Sequence, residues 1–195
     1  KLVRFDTFQV ALQYLSYALI GQSYMGVGRN LAYKKSLFFD NKGFASHIHI
    51  PSGDDDLFIR EVATSKNVAI AVHRSSQTLS EAKTTWSSWV RQKTRHLSTS
   101  GHYTFSHKFL LGFWAFSQAL FWTLGIVLIA LGIHQETVVL LMSLRLFIQG
   151  FIYYRVMNRL EERDLIWLFP LYEIAQLFFQ LIFVFSNLFN RKKRW

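Results

Sequence analysis

The stretch from Phe109 to Ile133, FLLGFWAFSQALFWTLGIVLIALGI, contains no charged residue. A bilayer core about 30 Å thick is crossed by about 20 helical residues, so this stretch is long enough to span a membrane. Two further apolar runs follow at residues 137–154 and 165–189, and they contain Arg145 and Glu173 respectively. The sequence therefore predicts an integral membrane protein with an α-helical transmembrane region over residues 109–195.

The orientation of these runs is not settled by the sequence. If all three span and the preceding part is cytoplasmic, the basic run RKKR at residues 191–194 lies outside, against the positive-inside tendency. Either the second or the third run is then re-entrant or interfacial, or the chain is an exception. Arg145 within an apolar run is a functional candidate, and its pairing with Glu173 on a neighbouring helix is an equally good structural explanation.

The basic residues are spread through the first part of the chain and clustered beside the apolar runs. The chain carries 22 Lys and Arg against 12 Asp and Glu, a formal net charge of +10. Attraction to anionic lipid headgroups explains this distribution more simply than binding to nucleic acid does. With no cysteine in the sequence, disulfides and thiolate metal sites are excluded. We therefore expect membrane lipids as partners and no nucleic acid.

Residues 1–85 mix polar and apolar side chains, and their pattern predicts both helices and strands. The predicted elements are a helix over 5–20 with Asp6 as its N-cap, a strand over 45–50, a helix over about 55–64 and a strand over 68–72. Such an order is typical of α/β domains, but the strands are too few for a complete one. Because the chain opens on Lys1 without an initiator Met, we expect it to be a piece of a longer protein.

Residues 86–108 are predicted to form an amphipathic interfacial helix and a linker. Trp86, Trp89 and Val90 share one face, whereas Arg91, Lys93 and Arg95 lie largely on another. A basic helix with tryptophans on its apolar side suits the headgroup layer. Its cations and amides can either bind a phosphate group or simply extend towards the membrane surface.

Three adjacent carboxylates, Asp54, Asp55 and Asp56, come at the start of the predicted helix over 55–64. Such carboxylates repel one another unless solvent, a cation or the helix N-terminus balances the charge. One interpretation is a solvated helix cap. The other is a general base that backbone amides and a basic loop keep ionised. His47 and His49 alternate on the predicted strand and could bind a metal, but no third ligand is evident.

Three motifs in this order resemble those of a known enzyme family. They are GVGRNLAYKK at 26–35, GDDDLF at 53–58 and QKTRH at 92–96, followed by the apolar runs. The order resembles the C-terminal part of membrane-bound family 2 glycosyltransferases, the group that contains cellulose and hyaluronan synthases and ceramide glucosyltransferase. The resemblance covers most of the chain. It implies an α/β fold, the C-terminal portion of a GT-A-like domain over 1–85, followed by the transmembrane helices.

The resemblance also implies roles for individual residues. Asp55 most nearly matches the general base that takes the acceptor proton, with Asp54 as the acidic residue before it, although the register is uncertain by one position. Gln92 and Arg95 match residues that hold the nucleotide diphosphate and line the acceptor site, and His96 replaces the usual Trp there. The site also includes Gly28, Arg29 and Asn30. Lys34, Lys35 and Arg91 are further candidates for a basic surround of the aspartates.

The expected activity is therefore inverting sugar transfer from a nucleotide-sugar donor to a lipid or growing glycan acceptor at the cytoplasmic membrane face. The family also uses a divalent metal, Mg²⁺ or Mn²⁺, held by an Asp-x-Asp motif. That motif is absent here, so we expect its ligands upstream of this chain and an inactive fragment when this chain is alone. The alternatives are a membrane-anchored scaffold or lipid-binding module without enzymatic activity, and a transporter fragment that uses Arg145 and Glu173.

Overall fold

The computed structural model describes residues 1–50 and 52–189, and within these residues the protein is built from helices and contains no strand. The α-helices are α1 (Leu2–Leu19), α2 (Lys35–Asp40), α3 (Asp56–Val62), α4 (Trp86–Ser98), α5 (Phe105–Ala130), α6 (Gln135–Arg159) and α7 (Phe169–Phe189). The chain divides into two compact units. We call residues 7–108 the motif unit, and residues 1–6 with the chain from Phe109 onward the span unit.

The described chain contains three helical segments long and apolar enough to cross a membrane, and from Phe109 onward they form the span unit. They are Phe105–Ala130, Gln135–Arg159 and Arg163–Phe183, the last of which joins a 3₁₀ turn to α7. Many of their large apolar side chains are exposed, among them Phe113, Phe147 and Phe178. Such surfaces suit contact with lipid. The three predicted apolar helices are thus confirmed, with bounds shifted by a few residues.

The first residues of α1 pack into the span unit. Phe5 is fully buried, and its ring centroid lies 5.2 Å from that of Tyr172 and 6.3 Å from that of Tyr153. Arg4 forms ion pairs with Glu162 and Asp164. Because these contacts order the chain upstream of Asp6, the helix begins at Leu2, and the prediction that Asp6 caps its start is wrong.

The motif unit has a core of aromatic and aliphatic side chains that anchors α3. Leu57 and Phe58 on α3 are almost completely buried. The ring of Phe58 lies 4.7 Å from that of Tyr33 and 5.9 Å from that of Phe44, centroid to centroid. Burial of side chains of this size stabilises the fold by about 1.5–3 kcal/mol each. The helix that carries the aspartates is therefore fixed by packing, and its prediction from sequence is confirmed.

The two predicted strands are not present. Residues 45–50 form successive turns, in which the amides of Ala45, His47 and Ile50 donate to the carbonyls of residues three positions earlier. These local bonds use the backbone donors that a strand would offer to a neighbour. Residues 68–72 have no regular structure, and the described residues supply no strand that could pair with them. The described protein is helical, and the α/β portion expected for residues 1–85 is not seen in it.

The predicted interfacial helix corresponds to α4, which ends at Ser98 and is followed by a 3₁₀ turn over Thr99–His102. Thr85 caps its start, since its hydroxyl accepts a hydrogen bond from the Ser88 amide at 3.2 Å. Trp89 is buried and Trp86 is exposed. The basic run at residues 191–194, on which the orientation argument depends, lies outside the described residues.

Candidate functional site

Asp55 lies between two backbone amides at the start of α3. Its Oδ1 accepts a hydrogen bond from the Asp56 amide at 2.9 Å, and its Oδ2 accepts one from the Gly28 amide at 2.8 Å. The first of these bonds makes Asp55 the N-cap of α3. The helix-cap interpretation is therefore confirmed for Asp55.

The glycine-rich loop reaches this carboxylate because position 28 has no side chain. A Cβ atom on Gly28 would lie 3.2 Å from Asp55 Oδ2, which is tighter than most such contacts. The rest of the loop is tied to a neighbouring segment. Asn30 Nδ2 donates to the Ser76 carbonyl at 2.9 Å, and the Arg29 guanidinium donates to the Ser80 hydroxyl. The structure thus brings together two motifs that lie far apart in the sequence.

Asp56 connects the acidic motif to the turn that follows α4. It is buried, and its Oδ2 accepts hydrogen bonds from the Thr99 hydroxyl and the Tyr103 hydroxyl, each at 3.2 Å. The same turn approaches Gly53, where φ is +95° and a Cβ would lie 2.8 Å from Thr99 Cγ2. Sequence reasoning missed Thr99 and Tyr103, because an isolated hydroxyl in a turn carries no recognisable pattern.

Burial, and after it the negative charge of Asp55, raise the pKa of Asp56 to about 7. The hydrogen bonds from Tyr103 and Thr99 act in the opposite direction, because they favour the carboxylate. Burial also raises the pKa of Tyr103, with the charge of Asp56 as the second cause. Asp56 therefore holds a proton over a pH range in which an exposed aspartate is ionised.

This proton makes stability depend on pH. Between about pH 4 and pH 7 the folded protein keeps the Asp56 proton and the unfolded chain releases it, so the free energy of unfolding decreases as the pH rises. The stabilisation by this proton is complete below the pKa that Asp56 has in the unfolded chain. It is lost as the pH rises through the folded pKa of about 7. The loss is on the order of a few kcal/mol. We expect thermal midpoints in detergent to fall across this window, and Asp56→Asn, which cannot ionise, to remove most of that fall. Parallel profiles for the two proteins would contradict the assignment.

The α4 residues of the expected site differ in burial. Gln92 is half-buried, whereas Arg95 and His96 are exposed. Although His96 is exposed as a residue, desolvation of its ring lowers its pKa, and the charge of Arg95 lowers it further. The negative charge of Asp55 raises the pKa of His96, whereas the positive charge of Arg29 has a smaller, lowering effect on it. His96 is thus within electrostatic reach of both the acidic motif and the glycine-rich loop.

Other predicted positions are exposed. Asp54 is exposed at the turn before α3, Lys34 and Lys35 lie at the exposed start of α2, and Arg91 is exposed on α4. Hydrogen bonds therefore join Gly28, Asp55 and Asp56. The charges of Asp55, Arg29 and Arg95 all act on the pKa of His96, so these side chains lie near one another. Gln92 lies on the same helix as His96.

The histidine pair does not form a metal site with neighbouring residues. His47 is buried, and its Nδ1 lies 2.9 Å from the Ser46 hydroxyl and 3.3 Å from Glu61 Oε1, whereas His49 is exposed. The expected alternation on one strand face is wrong, because these residues form turns. Among residues 1–50 and 52–189, no three His, Asp or Glu side chains are grouped closely enough to hold a metal ion.

The chain was compared with models of protein families, with curated proteins and with solved structures, and none of the three comparisons finds a match.

Proposed function

We propose that this chain is the C-terminal part of an inverting membrane glycosyltransferase, which transfers a sugar from a nucleotide-sugar donor to a lipid or glycan acceptor at the cytoplasmic membrane face. The observation that carries the proposal is the 2.8 Å hydrogen bond from the Gly28 amide to Asp55 Oδ2. It unites the glycine-rich loop with the acidic motif, as expected if both serve one site. The three apolar helical segments supply the membrane part.

In this proposal Asp55 is the general base. Each of its oxygens accepts one backbone N–H, which leaves a lone pair on each for the hydroxyl of the acceptor. The acceptor proton passes to the carboxylate as its oxygen attacks the anomeric carbon. The bond from that carbon to the nucleotide diphosphate breaks, the diphosphate leaves with the electron pair, and the configuration inverts.

The diphosphate is the proposed ligand of the basic and polar side chains near Asp55. Arg29 and Arg95 supply positive charge, while Gln92, His96 and Asn30 supply hydrogen-bonding groups. Guanidinium groups suit phosphate oxygens because their N–H donors form a planar fork. The described residues do not fit a divalent metal, so this proposal assigns the chain no step at a metal ion.

A lipid acceptor is favoured over a polymer within this proposal. The described chain has three helical segments able to span, and a dedicated polymer channel requires an enclosed path that three such segments do not readily form. The exposed Trp86 and the basic residues of α4 suit a position in the headgroup layer, where a lipid can approach from the side.

One observation favours a second candidate, a membrane-anchored scaffold without enzymatic activity. Asp55 caps α3 through the Asp56 amide, and a helix cap is a sufficient structural reason for an aspartate at this position. In that case the basic face of α4 binds anionic lipid and the acidic motif has no chemical role.

The test is transfer of radiolabelled sugar from a panel of UDP- and GDP-sugars into lipid extracts and into polymer. Membranes that contain the protein with its natural upstream residues are compared with membranes that contain the Asp55→Asn variant. Label that enters lipid only with the unmodified protein supports the glycosyltransferase and names its donor. No label dependent on Asp55, from a folded and inserted protein, favours the scaffold.

A further inference from the structure

The helix α4 directs its two tryptophans to different surroundings. Trp89 is 4% exposed and belongs to the protein core, whereas Trp86 is 59% exposed. Their rings meet edge to face with centroids 5.5 Å apart, so Trp86 is held in place although it faces outward. Val90, one turn after Trp86, is also exposed. The apolar face predicted from the sequence is therefore divided between the core and the surface.

Arg91 lies on the outer side of α4, next in the chain to Val90. At 3.6 residues per turn, Arg91 is about 160° around the helix axis from the buried Trp89. Arg91 is exposed, and among residues 1–50 and 52–189 its guanidinium has no hydrogen bond or ion pair. We call Trp86, Val90 and Arg91 the outward face of α4. This face combines an apolar edge with an unpaired cation.

The other flank of α4 belongs to the candidate site. Gln92 and His96 are one turn apart and lie next to Trp89 around the helix. The Thr99 hydroxyl, in the turn that follows, lies 2.7 Å from the His96 carbonyl oxygen and 3.2 Å from Asp56 Oδ2. The outward face can therefore contact another surface while the opposite flank keeps its connection to the acidic motif.

The position of α4 in the chain places it close to the membrane. Only six residues separate its end at Ser98 from the start of α5 at Phe105, and four of them form a 3₁₀ turn. The Lys108 ammonium donates to the Gly101 carbonyl at 2.6 Å, which joins this turn to α5. Because the charge-free apolar run begins at Phe109, the end of α4 lies within about 25 Å of the point where α5 enters the bilayer.

The charge of this part of the chain selects the kind of lipid. Between Glu81 and Glu136 the sequence has no Asp or Glu. Five basic residues precede the apolar run in this interval: Lys83, Arg91, Lys93, Arg95 and Lys108. Each Lys or Arg close to an anionic membrane surface favours binding, whereas a zwitterionic surface offers no net attraction. The partner that fits the outward face is therefore a bilayer surface with anionic phospholipid.

We propose that the outward face of α4 binds the surface of an anionic bilayer. Trp86 and Val90 enter the boundary between headgroups and acyl chains, and the Arg91 guanidinium binds a lipid phosphate. The long apolar stem of Arg91 lets its charged end reach the phosphates while the helix axis lies lower. Arg91 is thereby assigned to lipid rather than to the basic surround of the aspartates. This assignment does not depend on glycosyltransferase activity.

The test measures how deeply α4 lies in the membrane. The chain has no cysteine, so a single introduced cysteine carries a spin label at a known position. The full chain with Val90→Cys is labelled and placed in nanodiscs of phosphatidylcholine with increasing fractions of phosphatidylglycerol. Electron paramagnetic resonance compares access of the label to oxygen, which concentrates in the bilayer, and to a polar nickel complex, which stays in water. We expect the label at position 90 to lose contact with nickel as the phosphatidylglycerol fraction rises.

The control positions and variants identify the contact. A label at Ala82→Cys, in the exposed segment before α4, should remain in contact with nickel in every lipid. Arg91→Gln should lower the ratio of buried to water-exposed label at position 90 by about fivefold, the effect of one cation at an anionic surface. Lys66→Gln, exposed and outside α4, makes the same change in net charge and should leave the ratio unaltered. Thermal midpoints of all variants should agree, because each substituted side chain is exposed.

Four results would overturn the proposal. A label at position 90 that stays in water in every lipid would show that α4 does not bind the bilayer. Equal burial in phosphatidylcholine alone would show apolar insertion without selection of anionic lipid. Equal effects of Arg91→Gln and Lys66→Gln would show a general field instead of a phosphate bound at Arg91. Release of the label from the bilayer by soluble glycerol phosphate, at constant ionic strength, would show a site for a free phosphate group.

Discussion

Asp55→Asn is expected to reduce sugar transfer by about 10²- to 10⁴-fold, the range that a positioned general base contributes. Asparagine retains a carbonyl oxygen that can cap α3, and Asn and Asp are equally good N-cap residues. It cannot take a proton from the acceptor. The substitution loses one of the two backbone hydrogen bonds that Asp55 now accepts, at about 1 kcal/mol of stability. Activity should therefore fall far more than folding does. The measurement is initial transfer rate at saturating donor, beside the thermal midpoint of each protein.

Two further variants distinguish the role of Asp55 as a general base from its role as the N-cap of α3. Asp55→Ser preserves a capping oxygen and removes the carboxylate, so it should be as inactive as Asp55→Asn. Asp40→Asn, at the exposed end of α2, makes the same change in net charge away from the motif and should transfer sugar normally. If Asp55→Asn keeps more than a small part of the activity, the base is not Asp55. Asp54→Asn then tests the alternative register, and full activity in both variants would leave the aspartates as a helix cap.

The parts of the fold predicted correctly are those fixed by local pattern. Apolar runs with at most one charged residue each predicted α5, α6 and α7, because a bilayer requires a continuous helix of a definite length. The start of α3 followed from three aspartates before Leu57 and Phe58, since carboxylates are favoured at helix N-termini. The pairing of Arg145 with Glu173 was foreseen because charges within apolar helices need partners.

The predictions that were wrong, and the contacts that were not predicted, depend on residues distant from one another in the sequence. An alternating run such as residues 45–50 is compatible with a strand, but only a neighbouring strand makes it one, and here local turns use its amides. The hydrogen bonds from Thr99 and Tyr103 to Asp56 join positions more than 40 residues apart. The sequence also did not predict which side chains of α5 and α6 donate hydrogen bonds to Glu173. A single Gln or Tyr in an apolar helix does not indicate which carboxylate it contacts.

Removal of the Glu173 carboxylate should have the largest effect on stability in this protein. In Glu173→Leu the Arg145 charge loses its partner, and Gln118, Trp122 and Tyr153 lose the acceptor that they share. Breaking a buried ion pair from one side costs about 3–5 kcal/mol. Interhelical hydrogen bonds within membranes contribute only about 0.6 kcal/mol each, so the unpaired charge dominates the loss. We expect Glu173→Leu to lower the thermal midpoint strongly, with loss of helical circular dichroism at a lower temperature.

The double variant Arg145→Leu/Glu173→Leu distinguishes the charge from the hydrogen bonds. If the unpaired guanidinium is the main cost, removing Arg145 as well should restore much of the lost stability, because a buried ion pair can often be replaced by apolar side chains of similar volume. The residual loss then measures the hydrogen bonds from Gln118, Trp122 and Tyr153. A double variant no more stable than Glu173→Leu would mean that Arg145 finds other partners, and that the shared acceptor rather than the ion pair stabilises the span unit.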